Sequence, residues 1–176
     1  MSMTTSAAPW AVAVCAGVAA AGSRHVVYVP DNPLSHVLRV FADCHPGLRT
    51  TVATREEEAF GIAAGLYAGG VRPTVMLQSS GLGNSLNAFT SLLIPYRIPV
   101  LTIISMRGEP GEWNAAQMPM GRAVGAILDA IAIPHETIAA ADEAEAAVKR
   151  AADLAFTSRL PAACLLSRRM TQQASA

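Results

Sequence analysis

The run Thr54-Arg55-Glu56-Glu57-Glu58-Ala59-Phe60-Gly61-Ile62-Ala63-Ala64-Gly65-Leu66-Tyr67-Ala68-Gly69-Gly70, with Pro73-Thr74-Val75-Met76-Leu77-Gln78-Ser79-Ser80-Gly81-Leu82-Gly83-Asn84 after it, decides how this chain is read. Three acids open it. Acids are favoured in a helix's first turn because the unsatisfied N–H groups there carry partial positive charge, which accounts for two of the three. The helix beyond them is built of small residues nearly all round until Gly69-Gly70 ends it, so it is expected to be buried against close neighbours. A carboxylate at the mouth of such a helix is costly unless it has a partner, and a ligand is one such partner.

Pro73–Gln78 reads as a short apolar strand, and Ser79–Asn84 as a polar, glycine-rich loop ahead of a helix over Ser85–Ile94. Such loops lie at the carboxyl ends of strands, where open α/β sheets bind ligands. Common motifs are excluded. Gly81-Leu82-Gly83 lacks the third glycine of a dinucleotide fingerprint, since Leu86 stands in its place, and no GxxxxGK[ST] occurs. Gln78-Ser79-Ser80-Gly81-Leu82 is not a GxSxG elbow either.

Working outward, Ile98–Ser105 is a further strand, and the polar loop from Met106 to Gly121 is long enough to suggest function. A helix near Arg122–Ile131, a strand at His135–Ile138, a helix opened by Asp142 with Glu145 as capping box, and a strand at Ala162–Leu166 follow. The tail from Arg168 is polar and expected to fray. Upstream, a first helix ends at Gly22, His25–Val29 is a buried parallel strand, and Pro30–Pro33 turns the chain with Asn32 as N-cap and Pro33 at the first helical position. Arg49–Ala53 is the next strand. This alternation predicts one doubly wound parallel sheet with right-handed crossovers and helices on both faces, a single domain over residues 1–176 with its core at about 7–166.

The chain has 176 residues, 52% hydrophobic and 15% charged, with a formal net charge of zero. So apolar a composition points to a subunit interface, and the absence of any Lys or Arg run argues against nucleic-acid or anionic-membrane partners. The three cysteines, Cys15, Cys44 and Cys164, have no CxxC spacing, which fits a reduced, cytoplasmic protein with Cys15 and Cys164 as core thiols. The apolar stretch before Gly22 has no preceding Lys or Arg and falls short of the ~20 residues of a membrane span, so it is read as a helix of the fold. The four histidines show no metal spacing; His36 falls in a helix that opens near the expected site.

Thr54-Arg55-Glu56-Glu57-Glu58-Ala59, Ala63-Ala64-Gly65, Gln78 through Asn87, and Arg107-Gly108-Glu109-Pro110-Gly111-Glu112 together resemble the pyrimidine-binding domain of thiamine diphosphate enzymes. The branch they resemble is that of sulfopyruvate decarboxylase alpha subunits and phosphonopyruvate decarboxylases, over roughly Ala7 to Leu166. In that family one glutamate lies nine residues before the glycine of the small-residue helix, which here is Glu56 before Gly65. The resemblance implies that Glu56 is the catalytic acid, hydrogen-bonding the cofactor's aminopyrimidine so that its amino group can deprotonate the thiazolium, with partial burial raising its pKa. A 2-oxo acid would then lose CO2 and yield an aldehyde.

By the same resemblance Ser80, Gly81, Leu82, Gly83 and Asn84 join Glu56 in binding the cofactor, and Asp31, Asn32, Arg107 and Gln117 are expected to contact substrate. Asp31 reads equally as a turn or helix-start residue. Where phosphonopyruvate enzymes carry a Gln-His pair, Gln117 is followed by Met118, so no histidine acid/base stands there. A sulfonate or phosphonate needs a cation, and Arg107 and Arg122 flank the long loop. The family's magnesium and diphosphate are held by a Gly-Asp-Gly and a later Asn in a second domain. None of Asp31, Asp43, Asp129, Asp142 and Asp153 is followed by glycine. No metal ligand is therefore expected in this chain, and Mg2+ and the diphosphate fall to a separately encoded beta subunit of a hetero-oligomer. A carboligase, a decarboxylase of another 2-oxo acid, or a non-catalytic scaffolding partner are the alternatives.

Overall fold

The computed structural model describes residues 7–172. Six strands, β1 (His25–Tyr28), β2 (Arg49–Val52), β3 (Pro73–Gln78), β4 (Leu101–Ser105), β5 (His135–Ile138) and β6 (Ala162–Leu166), form one sheet in the order β2-β1-β3-β4-β6-β5, parallel throughout. Every side chain of β4 and β6 is buried, whereas β2 and β5, at the edges, are largely open. This is why the central strands read as unbroken apolar runs: helices cover both of their faces.

On one face lie α1 (Pro9–Ala20), α2 (Asn32–Cys44) and α6 (Ala141–Ser158), packed with Val26, Met76, Ile103 and Cys164. On the other lie α3 (Glu56–Ala68), α4 (Ser79–Ala88) with its π-helical continuation Phe89–Leu93, and α5 (Met118–Ala130), around Val27, Val75, Leu77 and Ile104. Burial pushes the thiols of Cys15 and Cys164 up to about 12, as befits core cysteines. Among the described residues no helix is long and apolar enough to cross a membrane.

The chain steps from β1 outward to β2 and then back across to β3, so β1 and β3 are neighbours whose following segments diverge to opposite faces. A crevice opens at the carboxyl ends of such strands. Asp31 follows β1, Ser79 follows β3 and Arg107 follows β4, which brings three expected site segments to one rim.

Several boundaries differ from the sequence reading. The expected loop Ser79–Asn84 is helical, because α4 starts at Ser79. Gly81 and Gly83 are poor helix formers, but tertiary packing overrides propensity: Ser79 is buried and its Oγ accepts from Arg107 N at 3.2 Å. Strand β4 begins at Leu101, after Pro99, which has no N–H for a ladder. Asn32 is the first helical residue of α2 and Asp31 occupies the cap position, without a capping hydrogen bond. Helix α5 starts at Met118, after a short 3-10 turn over Ala115–Gln117, which shortens the long loop. The acid that caps α6 is Glu143, accepting from Ala139 N at 2.7 Å and Ala140 N at 3.0 Å, in place of the Asp142–Glu145 pair. Arg168–Gln172 is a helix, α7, with Arg168, Met170 and Thr171 buried; residues 173–176 of the expected frayed tail lie outside the described residues.

Helix α1 is apolar all round; Trp10, Ala11, Val14, Cys15, Gly17 and Val18 are buried in the core it shares with α2 and α6, while Val12 is exposed. The helix meets α6 at Gly17, where a Cβ would lie 2.7 Å from Glu145 O and 2.7 Å from Val148 Cβ. Gly17→Val is expected to destabilise the fold by about 1–3 kcal/mol, the usual cost of overpacking. A urea or thermal denaturation series would show this; unchanged stability would mean that the helix pair is not in van der Waals contact.

Candidate active site

Two clusters stand at the carboxyl ends of the strands. The first is built on α3. Glu58 turns back to accept from Thr54 N at 2.7 Å and Thr54 Oγ1 at 2.6 Å, closing the start of the helix, and these bonds hold its carboxyl below the usual range. Glu57 pairs with Arg55 Nε at 2.7 Å. Both are helix-start acids, as the sequence suggested. Glu56 is left over, half-buried, and its carboxylate lies against the first turns of α4. A Cβ on residue 81 would sit 2.5 Å from Glu56 Cδ, so glycine is required for this approach. Asn84 Nδ2 donates to Glu56 Oε2 at 3.4 Å, a long bond. Glu56, Gly81 and Asn84 are thus brought together, with Leu82 in the core beneath and Gly83 facing Met120.

The second cluster centres on Asp31. Its Oδ1 accepts from Arg107 Nη2 at 2.5 Å and Gln78 Nε2 at 3.0 Å, and its Oδ2 accepts from Ser105 Oγ at 2.6 Å. The Asp31 side chain is 5% exposed and that of Arg107 14%. A buried charge persists only when paired and hydrogen-bonded, and here the ends of β3 and β4 supply every donor. Ser80 Oγ donates to Gln78 Oε1, which links this cluster to the start of α4.

Beyond Arg107 opens a cleft of about 310 Å³. Asn32, Arg107 and Gln117, all expected to contact substrate, line it together with His36, Asn114 and Arg168. Asp31 lies beneath it with both oxygens occupied by protein donors. Arg122 does not line it: the side chain is exposed and its Nε donates to Gly108 O at 3.5 Å. The loop carrying Arg107 is clamped by α5, because a Cβ on Gly121 would overlap Arg107 O, and by Gly108, whose φ of +78° is open to glycine.

Sequence reading missed Arg168. Its backbone N donates to Glu109 Oε2 at 2.6 Å, its Nη2 donates to Gly111 O at 2.5 Å, and its Nε stands 3.8 Å from Glu112 Oε2. The available signal was position: Arg168 follows the wholly apolar strand β6, whose carboxyl end lies beside that of β4. Among the described residues no group of three or more His, Cys, Asp or Glu is placed to hold a metal ion.

The doubly wound sheet is shared with the 2-oxoglutarate:ferredoxin oxidoreductase of Magnetococcus marinus, with a TM-score of 0.69, at 15% identity, over 92% of this chain and 29% of that one. That likeness is one of fold. No protein-family model matches the chain. The sulfopyruvate decarboxylase subunit alpha of Methanothermobacter thermautotrophicus is 41% identical over 154 residues, 88% of this chain and 93% of the relative. That of Methanococcus maripaludis is 38% identical over 88% of this chain and 92% of its own length. The phosphonopyruvate decarboxylase of Streptomyces viridochromogenes is 42% identical over 65% of this chain, but only 29% of that longer protein. The chain belongs to the family of sulfopyruvate decarboxylase alpha subunits.

Glu112 is a buried acid beside Arg168, accepting from Asn114 N at 3.0 Å with Arg107 also nearby. The bond from Asn114 N, with those charges, outweighs burial and lowers its pKa below the ordinary 4.5. A depressed folded-state pKa stabilises the fold above the unfolded value and ceases to do so as pH falls through the folded one. Glu112→Gln is therefore expected to cost about 1–3 kcal/mol at neutral pH, the worth of a bond to a charged group. Urea titrations should show this gap narrowing as pH drops below 4.5; a gap constant with pH would refute the role.

Proposed function

We propose that the chain is the pyrimidine-binding subunit of a two-subunit, thiamine diphosphate-dependent decarboxylase acting on a 2-oxo acid that bears a sulfonate or phosphonate. The observation that carries this is the meeting of Glu56 with Gly81 and Asn84, beside a polar cleft at the same strand ends. The residues fit the cofactor's pyrimidine end: among the described residues the half-buried Glu56 carboxylate has one long protein hydrogen bond, and it enters the space that a Cβ at Gly81 would fill. When bound, the cofactor supplies the electron sink for the pair released as CO2 departs. Glu56 would hold the pyrimidine end through its carboxyl group, as a positioned acid. Asp31, with both oxygens taken, positions Gln78 and Arg107 and leaves the cleft lining to donors.

The alpha designation of the relatives supports a further subunit, and the absence of any Asp-Gly in the chain supports assigning magnesium and diphosphate to it. The exposed face of α3 supports such a contact. It presents Gly61, Gly65 and Ala68, and nothing lies within 4 Å of a Cβ built at either glycine, so another backbone has room for close approach. The three unpaired cysteines suit a cytoplasmic setting.

In the assembled complex, Glu56→Gln is expected to reduce turnover about 10²- to 10⁴-fold, the range for a positioned acid/base, with assembly intact, while Glu57→Gln does far less. Equal, mild effects would remove Glu56 from the mechanism. Calorimetry of the isolated chain with thiamine diphosphate and Mg2+ should show weak binding; tight, metal-dependent binding without a partner would defeat the two-subunit assignment.

A further inference from the structure

We infer that Arg168, together with Arg107, forms the subsite for a tetrahedral anionic group on the substrate and sets specificity for it; this rests on the decarboxylase reading above. The cleft is lined by two arginines, His36, and the neutral polar side chains of Asn32, Asn114, Gln117, Thr171 and Gln172, and among the described residues no carboxylate side chain lines it. The acids that balance the arginines stand behind them, Asp31 against Arg107 and Glu112 against Arg168. Charge is thereby balanced by acids that do not line the cleft.

The guanidinium of Arg168 is fixed before any ligand arrives. Its side chain is 7% exposed, its Nη2 is bound to Gly111 O, and the Gln172 amide, in the orientation that satisfies both groups, accepts from Nη1 at 2.5 Å and Nη2 at 2.7 Å. The Nε atoms of Arg168 and Arg107 are buried and have no hydrogen-bond partner among the described residues. An oxyanion with several acceptor oxygens suits a cleft lined by two guanidinium groups. Planar, weakly hydrated guanidinium groups suit sulfonate and phosphonate oxygens better than an ammonium does. Arg122, exposed and turned to Gly108 O, has no part in this.

The test compares sulfopyruvate, phosphonopyruvate and pyruvate as substrates of the assembled complex. Arg168→Gln should lower kcat/KM for the two anionic substrates about 10- to 100-fold relative to pyruvate, the worth of hydrogen bonds to a charged group. The larger of the two losses identifies which anion the subsite takes. Because Arg168 also ties α7 to the loop, Gln117→Glu, at a half-exposed position, provides a second variant: a carboxylate in the cleft should lower the same ratio. Calorimetry of the complex with 3-sulfolactate against lactate, neither of which can be decarboxylated, reads binding without turnover. Preference for 3-sulfolactate that both variants diminish supports the subsite. Unchanged substrate ratios in folded variants, or equal affinity for the two analogues, overturns it. If the complex decarboxylates none of the three acids, the decarboxylase reading fails separately, and the analogue preference alone then decides the anion subsite.

Discussion

A single buried carboxylate, that of Asp31, holds the rim of this molecule together. It leaves β1 and accepts hydrogen bonds from Gln78 at the end of β3, Ser105 at the end of β4, and Arg107 just beyond. Removing one partner from such a pair leaves an uncompensated buried charge, at a cost of about 3–5 kcal/mol. The Arg107 guanidinium is therefore fixed relative to three adjacent strands. That is the preorganisation a binding group needs, since a side chain held in place loses little entropy when a ligand arrives.

The same network spans the two halves of the site. Ser80, in the first turn of α4, donates to Gln78, and Gln78 donates to Asp31, so the helix start that meets Glu56 and the arginine that lines the cleft share one chain of hydrogen bonds. Ser79 adds a direct tie to the backbone of Arg107. Glycine permits the other close contacts: Gly81 admits Glu56, and Gly121 admits the Arg107 carbonyl. Each of these glycines is explained by what lies where its Cβ would be. A displacement in α4 would move both halves of the site together.

The cleft wall repeats this arrangement with other residues. Arg168 is braced by the Gly111 carbonyl and by Glu112, much as Arg107 is braced by Asp31. Glu109 accepts from the backbone of Arg168, so α7 and the loop after β4 hold each other. In both cases an acid that does not line the cleft braces an arginine that does.

Much of the fold was legible in the sequence. Apolar strands covered on both faces read as continuous Val, Ile and Leu runs, and Glu56–Ala68 read as a helix with acids at its start; its expected burial holds only on the face of Ala59, Phe60, Ala63 and Ala64, while Gly61, Gly65 and Ala68 are exposed. The role proposed for Glu56 came from a motif resemblance, and the structure adds the Gly81 and Asn84 contacts. What local pattern did not reveal was set by partners far off in the chain. The start of α4 at Ser79 contradicts the propensity of its two glycines and is held by contacts to Glu56, Met120 and Arg107. Asp31 reads locally as a turn residue, yet its partners Ser105 and Arg107 are 74 and 76 positions away. Arg168 reads as the start of a loose polar tail, and only the pairing of β6 beside β4 brings it to the cleft. Sequence fixed the periodic elements because periodicity is a local property; tertiary structure decided the site because a buried charge takes its meaning from whichever strand ends converge on it.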